Sequence, residues 1–275
     1  MRIAYVILFL VLAFNLVSAE FILENVDVTI SDIKSDGSAH VHESIKFIMY
    51  GDYASSLYDS AISNNSLSYW SSSIGLKDVK LHINTANVDV RDFRLRPQPR
   101  TKCNPIQGTC HGELIFDYWA YPTYNENLTP VPDTGLFTLD EYKPRTKRYT
   151  INPNSLFFTV TSEGNFILED RVQLIIQPPA DSIILDINPN PSNMEVDLPA
   201  RVSELSWTDV VLVKFSLIFD VEESIDKEIS DFFAGIASST AKLLSSPEGF
   251  ALLILIAVLI GSYFYIVMAK RRGEE

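Results

Sequence analysis

The 275-residue chain is poor in cysteine and in basic residues, with two Cys, and 22 Lys and Arg against 35 Asp and Glu. Two cysteines cannot supply the two ligand pairs of a Cys-based zinc module. A formal charge of −13 argues against nucleic-acid binding, because the surface as a whole repels phosphate. Gly-rich phosphate loops, His-Glu-x-x-His and Gly-x-Ser-x-Gly are also missing. No catalytic residue, cofactor or metal site is therefore predicted, and the sequence favours a protein that is not an enzyme.

Glycine and proline are not enriched, and 47% of the residues are hydrophobic, which favours a folded core over a disordered stalk. One long run, 250–269, contains no charged residue at all. At about 1.5 Å per residue it would span roughly 30 Å, the thickness of the hydrocarbon core of a bilayer. We predict a transmembrane helix over 247–269. The tail 270–275 starts with Lys270, Arg271 and Arg272, and such a cluster anchors the cytoplasmic side.

The N-terminus has a second apolar run, with Arg2 before it and Val17-Ser18-Ala19 after it. This pattern predicts a secretory signal peptide over 1–19, although the run could also be retained as an anchor. With cleavage, residues 20–249 lie outside the cytoplasm. We expect a single-pass protein of the cell membrane or an equivalent secretory-pathway membrane, with a cytoplasmic C-terminus.

Cys103 and Cys110 flank a turn that contains Asn104-Pro105 and Gly108. Outside the cytoplasm, such a pair predicts a disulfide that clamps a hairpin loop. For so short a loop the chain-entropy model gives about 2.5 kcal/mol. A redox or metal pair is the alternative, but six intervening residues do not match Cys-x-x-Cys.

Residues 20–223 read as an extracytoplasmic β-rich domain. Alternating apolar and polar residues predict a hairpin over 21–50, with Asp36-Gly37 at its turn and a short helix over 53–62 after it. Further strands are predicted at 76–83, 87–95, 112–121, 136–139, 148–151, 156–160, 171–177, 183–187 and 212–221. Many short strands with little helix favour an antiparallel β-sandwich, as one large domain or two small subdomains with a Pro-rich boundary at 121–135.

After Glu223 the apolar period changes to that of a helix, which predicts an amphipathic juxtamembrane helix over 224–246. Three interpretations stay open for it: packing on the β-domain, lying on the outer leaflet, or self-association through 225–244. In the membrane span, Ala257-x-x-x-Gly261 would permit close approach of a second helix.

On the return strand of the first hairpin, Glu43 falls in a row of apolar residues, whereas His40 and His42 share the opposite face. A buried Glu43 would need a partner, but a carboxylate in such a row more often lies near a sheet edge and reaches water. His40 and His42 have a spacing that could seat a metal ion. Because no third ligand is obvious nearby, we interpret them as two exposed histidines.

Two basic runs stand out against the acidic background, and together they form a possible patch for an anionic ligand: Arg91, Arg94, Arg96, Lys143, Arg145, Lys147 and Arg148. Charges on strands also prevent edge-to-edge pairing, which is the alternative explanation for both runs. Asn64 and Asn127 begin sequons for N-glycosylation, and Pro130 makes the second a poorer site.

The opening hairpin, from Ile33 to Phe47, resembles the start of uncharacterised prokaryotic membrane-anchored β-domain proteins. Their pattern is a strand, an Asp-Gly-Ser turn and a Val-x-Glu strand, with a signal peptide before and a spanning helix after. The segments 172–179 and 188–191 fit the same style of chain. The resemblance implies an extracytoplasmic β-sandwich and carries over no active-site residue.

Three functions remain open at this point. The first is a non-enzymatic binding or assembly module that holds a protein partner or an envelope component at the membrane. The second is a surface structural or adhesive protein that recognises glycan or matrix through the loop 51–75 and the basic runs. The third is a membrane-tethered hydrolase whose site is assembled from residues far apart in sequence.

Overall fold

The computed structural model describes residues 20–76, 79–126, 129, 131–143 and 145–222. The chain divides into two compact units, Met1–Glu222 and Glu223–Glu275, and every described residue belongs to the first. The described part is mainly β. Its strands are β1 (Glu20–Ser31), β2 (Ala39–Tyr50), β3 (Asp89–Asn104), β4 (Thr109–Tyr121), β5 (Phe137–Lys143), β6 (Thr146–Ile151), β7 (Thr159–Val160), β8 (Phe166–Ile176), β9 (Ile183–Asn188), β10 (Leu205–Leu212) and β11 (Ser216–Glu222).

The first hairpin confirms the prediction from alternation. β1 and β2 pair antiparallel from Glu20↔Tyr50 to Ser31↔His40, and their inward side chains are buried. Gly37 makes the turn with φ +82°, and a Cβ on it would lie 2.7 Å from the Phe137 carbonyl oxygen, so only glycine fits there. The predicted short helix follows directly as α1, Gly51–Ala61.

The larger sheet has seven strands in the order β10-β8-β1-β2-β4-β3, with β7 paired to β8 beside this path. The expectation of a purely antiparallel sheet is wrong at one place. β8 joins β1 in parallel, from Val26↔Val172 to Ile30↔Ile176. The reason is the route of the chain. β8 follows β7 of the same sheet and comes to lie against the free side of β1, which is already paired with β2 on its other side.

The smaller sheet has four strands in the order β5-β6-β11-β9. The segment 121–135, predicted as a possible boundary, connects β4 of the first sheet to β5 of the second. Side chains from both sheets belong to one buried cluster. In the second sheet, Phe219 stacks on Tyr149 with ring centroids 5.0 Å apart and meets the edge of Phe137 at 5.7 Å.

Three predicted strands differ from the structure. Residues 79–83 of the predicted strand 76–83 form no strand, except for one bridge between Ile83 and Leu156, although Val79, His82 and Ile83 are buried. In 156–160 only the last two residues are a strand. The predicted strand 212–221 breaks at a turn where Lys214 has φ +49°, because β10 ends before this turn and β11 begins after it.

No helix in the described part of the chain has the length and apolarity to cross a bilayer. The predicted signal peptide 1–19, juxtamembrane helix 224–246, span 247–269 and tail 270–275 lie outside the described residues. Lys270, Arg271 and Arg272 belong to that tail, and Asn127 also falls outside the described residues.

Candidate functional site on two faces of one sheet

β2 and β4 are adjacent strands of the larger sheet, and each places chemically active side chains on both of its faces. His42 lies directly opposite Asp117, and His40 lies opposite Trp119. One residue further along β2, Glu43 points the other way. Because side chains alternate along a strand, neighbouring residues thus build two separate clusters, one exposed and one buried.

The outer cluster consists of His40, His42, Asp117 and Arg96. His42 Nδ1 lies 2.8 Å from Asp117 Oδ1, and His40 Nε2 lies 3.9 Å from the same oxygen. Arg96, on β3, hydrogen-bonds and ion-pairs with Asp117 Oδ2. Partial burial acts to raise the pKa of Asp117, but the hydrogen bonds and charges of His42 and Arg96 outweigh it and hold the pKa below its ordinary value.

Beside this cluster, Trp119 and Tyr121 form an aromatic platform on the outer face of β4. Both rings are half-buried, and their centroids lie 6.3 Å apart. The Lys34 ammonium lies 3.5 Å from the centroid of Trp119, and the Arg91 guanidinium lies 4.6 Å from that of Tyr121. His40 contacts Trp119 at 5.4 Å between ring centroids. The platform is therefore bordered by cations in a chain that is acidic overall.

The buried cluster consists of Glu43, His82 and Tyr118. Glu43 is fully buried, which corrects the expectation that it lies near an edge and reaches water. The reason is that β2 is central in the sheet, between β1 and β4. Its Oε2 lies 2.7 Å from His82 Nδ1, and its Oε1 accepts from the Tyr118 hydroxyl at 2.5 Å and from the His82 backbone N–H at 3.1 Å. Burial and the nearby carboxylate raise the pKa of Tyr118 well above its ordinary value.

The first basic run lies on β3, the edge strand of the larger sheet. Arg91 pairs with Asp89 at 2.7 Å, and Arg94 is exposed opposite Asp117. Asp92, with φ +55°, forms a bulge between them, and two prolines, Pro97 and Pro99, follow on the same strand. Charges, prolines and bulges are the usual protections of a free sheet edge.

The second basic run lies on the other sheet, around the turn between β5 and β6. Arg148 makes a two-pronged pair with Asp220 of β11, at 2.8 and 3.0 Å. Lys143, Arg145 and Lys147 surround the turn itself. The two runs thus occupy different sheets.

The predicted disulfide between Cys103 and Cys110 is confirmed, and it closes the end of the β3–β4 hairpin. Asn64 lies in the loop after α1, where its carbonyl oxygen accepts from Trp70 Nε1 at 2.7 Å and its side-chain oxygen accepts from Ser66 N at 2.9 Å. His111 lies 2.8 Å from Glu24 on the exposed side of β4. Within the described ranges, no three His, Cys, Asp or Glu side chains are placed to hold a metal ion.

Sequence reasoning missed Asp117, Trp119 and Tyr121 on the outer face, and His82 and Tyr118 in the buried cluster. The available signal was Glu43 itself, because a carboxylate in an inward row requires donors. The partners could not be named, since His82 is 39 and Tyr118 is 75 positions away in the chain.

No family model matches the chain, and no curated protein does. Solved structures similar to it include native leukotriene A4 hydrolase from Saccharomyces cerevisiae, with 12% identity and a TM-score of 0.31 over 73% of this chain. A second native structure of the yeast hydrolase has 10% identity and a TM-score of 0.30 over 75%, and its complex with bestatin has 10% identity and a TM-score of 0.27 over 74%. The chain spans 29% of the length of each hydrolase. A likeness this low carries no conclusion about function.

Proposed function

We propose that this chain is a non-enzymatic binding or assembly module, a β-sandwich held outside the cytoplasm by a single C-terminal membrane helix. Its binding surface is the outer face of β2, β4 and β3, where Trp119 and Tyr121 meet the outer cluster. The observation that carries the proposal is this aromatic platform with cations on its rim. Tryptophan, tyrosine and arginine are the residues that most often dominate the binding energy of protein interfaces.

The charge of the face indicates the kind of partner. Four cations lie on this face, Lys34, Arg91, Arg94 and Arg96, and they outnumber the two carboxylates that pair with Arg91 and Arg96, Asp89 and Asp117, in a chain whose formal charge is −13. A partner that presents acidic groups would meet local attraction here and repulsion over the rest of the surface. We therefore infer an acidic segment of a protein partner, or an anionic envelope component, as the bound group.

The face is also preorganised. Three hydrogen-bonded strands carry it, and Asp117 fixes His42 and Arg96 in place. Groups that are already held lose little conformational entropy when a partner binds, so more of the contact energy appears as affinity.

Recognition of a glycan is the second candidate, and the platform itself favours it. The half-buried rings of Trp119 and Tyr121 could stack a sugar ring, while Arg91 or Lys34 contacts an acidic substituent. The first candidate has further surfaces outside this face. The predicted helix segment 225–244 and the membrane span would then contact a protein partner or a second copy of the chain.

The test is extraction of the full-length protein from its native membrane in mild detergent, followed by mass spectrometry of the proteins that co-purify. We expect a stoichiometric partner with the wild type and its loss in the double variant Lys34→Glu/Arg91→Glu. Arg201→Glu is the matched control, because Arg201 is an exposed arginine in the loop before β10 with only a 4.0 Å contact to Asp181.

A protein that purifies alone, and binds acidic glycans through Arg91 and Lys34, would replace the first candidate by the second. A partner retained equally by the wild type and by the double variant would show that the outer face is not the binding surface.

A further inference from the structure

The loop between β3 and β4 forms a clamped tip with an isoleucine at its apex. The disulfide between Cys103 and Cys110 joins the two strands at the base of this tip. Ile106 is 95% exposed, whereas the next most exposed large hydrophobic side chain of the described residues, Val160, is 55% exposed. Single apolar side chains on a surface are common, but one that is almost wholly exposed gains most by leaving water, and this indicates an apolar partner.

The backbone of the tip finds hydrogen-bond partners within the protein. Asn104 Oδ1 accepts from the backbone N–H groups of Ile106 and Gln107, at 3.0 and 3.3 Å. The Gly108 carbonyl oxygen accepts from the backbone N–H of Gly51 at 2.7 Å. Backbone groups without partners are the main cost of moving an irregular loop out of water into lipid. Because these groups already have partners, the tip can leave water at a lower cost than an ordinary loop.

Two exposed tyrosines accompany Ile106 at this end of the larger sheet. Tyr50, the last residue of β2, pairs with Thr109 at the base of the tip. Tyr53 follows in the first turn of α1, and both side chains are exposed. Tyrosine is enriched at membrane–water interfaces, where its ring lies at the level of the lipid headgroups. An apolar apex with tyrosines beside it therefore matches a lipid surface.

The charges beside the tip are balanced, unlike those of the chain as a whole. Arg100 of β3 pairs with Asp59 of α1 at 2.7 Å, and Lys102 and Asp52 are both exposed. These two cations and two carboxylates cancel in a chain whose formal charge is −13. The acidic excess that would repel an anionic lipid surface is thus absent from the strand and the helix next to the tip.

The predicted membrane segments allow the tip to face a bilayer. β1 begins at Glu20, which pairs with Tyr50, so the predicted signal peptide or retained anchor 1–19 joins the domain at the same end as the tip. On the other side, the 24 residues 223–246 separate the domain from the predicted span. A chain of this length reaches at most about 80 Å, and β2 is only about 40 Å long. Neither connection keeps the tip away from the membrane, and a retained anchor would hold it there.

We propose that this tip docks on the lipid surface of the membrane that carries the protein. The Ile106 side chain enters the border of the hydrocarbon region, and Tyr50 and Tyr53 lie among the headgroups. Docking fixes the orientation of the domain. Because the aromatic platform of Trp119 and Tyr121 lies at the other end of β4, about 40 Å away, it then faces away from the membrane. The proposal does not depend on what the platform binds.

The test uses the full chain in phosphatidylcholine vesicles, in which part of the lipid carries a nitroxide quencher on the upper acyl chain. Tyr53→Trp places a fluorescent probe beside the tip, and the signal of the three native tryptophans is subtracted with the wild type. We expect nitroxide lipid to quench this probe. Tyr124→Trp is the matched control, because Tyr124 is also exposed but lies beyond the other end of β4, and its probe should not be quenched.

A second substitution in the Tyr53→Trp chain tests the isoleucine itself. Ile106→Ser should lower the ratio of docked to free domains about tenfold, as expected when one isoleucine side chain no longer enters hydrocarbon, and quenching should fall accordingly. The variant should fold, because Ile106 is almost wholly exposed. Met194→Ser is the matched control, since Met194 is an exposed apolar residue in the loop between β9 and β10, and quenching should be unchanged.

Equal quenching of the two probes, or quenching that survives Ile106→Ser, would overturn the proposal. Quenching that disappears at high salt would also overturn it, because apolar insertion does not depend on screened charges. If the emission of Tyr53→Trp shifts to shorter wavelength without any quenching by nitroxide lipid, the tip contacts a second copy of the chain instead of lipid, and the proposal is wrong.

Discussion

Two carboxylate–histidine pairs on β2 and its neighbours have almost the same geometry and very different surroundings. Glu43 and His82 approach to 2.7 Å, and Asp117 and His42 to 2.8 Å. The side chains of the first pair are 0% and 6% exposed, whereas those of the second are 19% and 39% exposed. Removing one partner of a buried pair costs far more than breaking an exposed one, because the remaining polar groups are left without water.

The two pairs also connect different parts of the fold. His42 and Asp117 join strands that are already hydrogen-bonded along twelve residue pairs. Glu43 instead binds the backbone and the ring of His82, which lies in the irregular segment before β3. The buried pair therefore fixes this segment to the core, while the exposed pair adds little to a ladder that exists without it.

The largest expected effect is that of Glu43→Ala. It leaves the Tyr118 hydroxyl, the His82 N–H and the His82 ring without an acceptor in the core, and we expect the free energy of unfolding to fall by about 3–5 kcal/mol. The measurement is urea unfolding of the full chain in detergent, followed by tryptophan fluorescence. Asp117→Ala is the control on the opposite face, with an expected loss of at most about 1 kcal/mol.

If Glu43→Ala and Asp117→Ala lower the free energy of unfolding equally, burial does not determine how much each pair contributes to stability. Hydrogen exchange gives an independent reading, because only Glu43→Ala should expose the amides of residues 79–83 to rapid exchange.

A smaller effect is expected from Tyr118→Phe, which removes one donor from the Glu43 carboxylate and keeps the ring. The loss should be about 1–2 kcal/mol, and Tyr121→Phe on the outer face of the same strand should change stability by less than about 0.5 kcal/mol. Because the pKa of Tyr118 is raised well above its ordinary value, its hydroxyl remains a donor in the folded state, and the loss should be the same at pH 7 and at pH 9. A loss that disappears between these two pH values would show that Tyr118 does not act as this donor.

The sequence predicts which side chains of the two pairs point inward and which point outward, because apolar and polar residues alternate along the strand. The period of two along 39–47 places Glu43 inward and His42 outward, and the hairpin, its glycine turn and the disulfide between Cys103 and Cys110 follow from equally local signals. What local signals did not indicate is whether β2 is central or an edge strand. That depends on β4, which pairs with β2 only after an excursion of about sixty residues, and the exposure of Glu43 was mispredicted for this reason.

Long-range partners and bulges account for the other differences. The sequence predicts no strand before Leu212, although β10 begins at Leu205. The reason is a bulge at Asp209, with φ +50°, which interrupts the alternation of apolar and polar residues. The apolar residues around His82 predict a strand, yet side-chain contacts to the core and one isolated bridge, from Ile83 to Leu156, hold that segment in place of a full ladder. Such contacts leave no periodic pattern in the sequence, so the buried cluster could be found only in the structure.

The smallest effect concerns acid, and it follows from the exposed pair. In the folded protein the pKa of Asp117 is lowered, so its ionised form stabilises the fold above the unfolded pKa, about 3.9, and this stabilisation is lost as the pH falls through the folded value. Asp117→Asn should therefore be less stable than the wild type by at most about 1 kcal/mol at pH 7, and the gap should close on acidification below about pH 4. Urea midpoints at pH 7, 5 and 3 measure it, and high salt should narrow the gap at pH 7, because Arg96 is more than half exposed. If the stability difference between the wild type and Asp117→Asn widens in acid, His42 and Arg96 do not stabilise the carboxylate of Asp117. The exposed pair would then not contribute to stability in the way that the buried pair does.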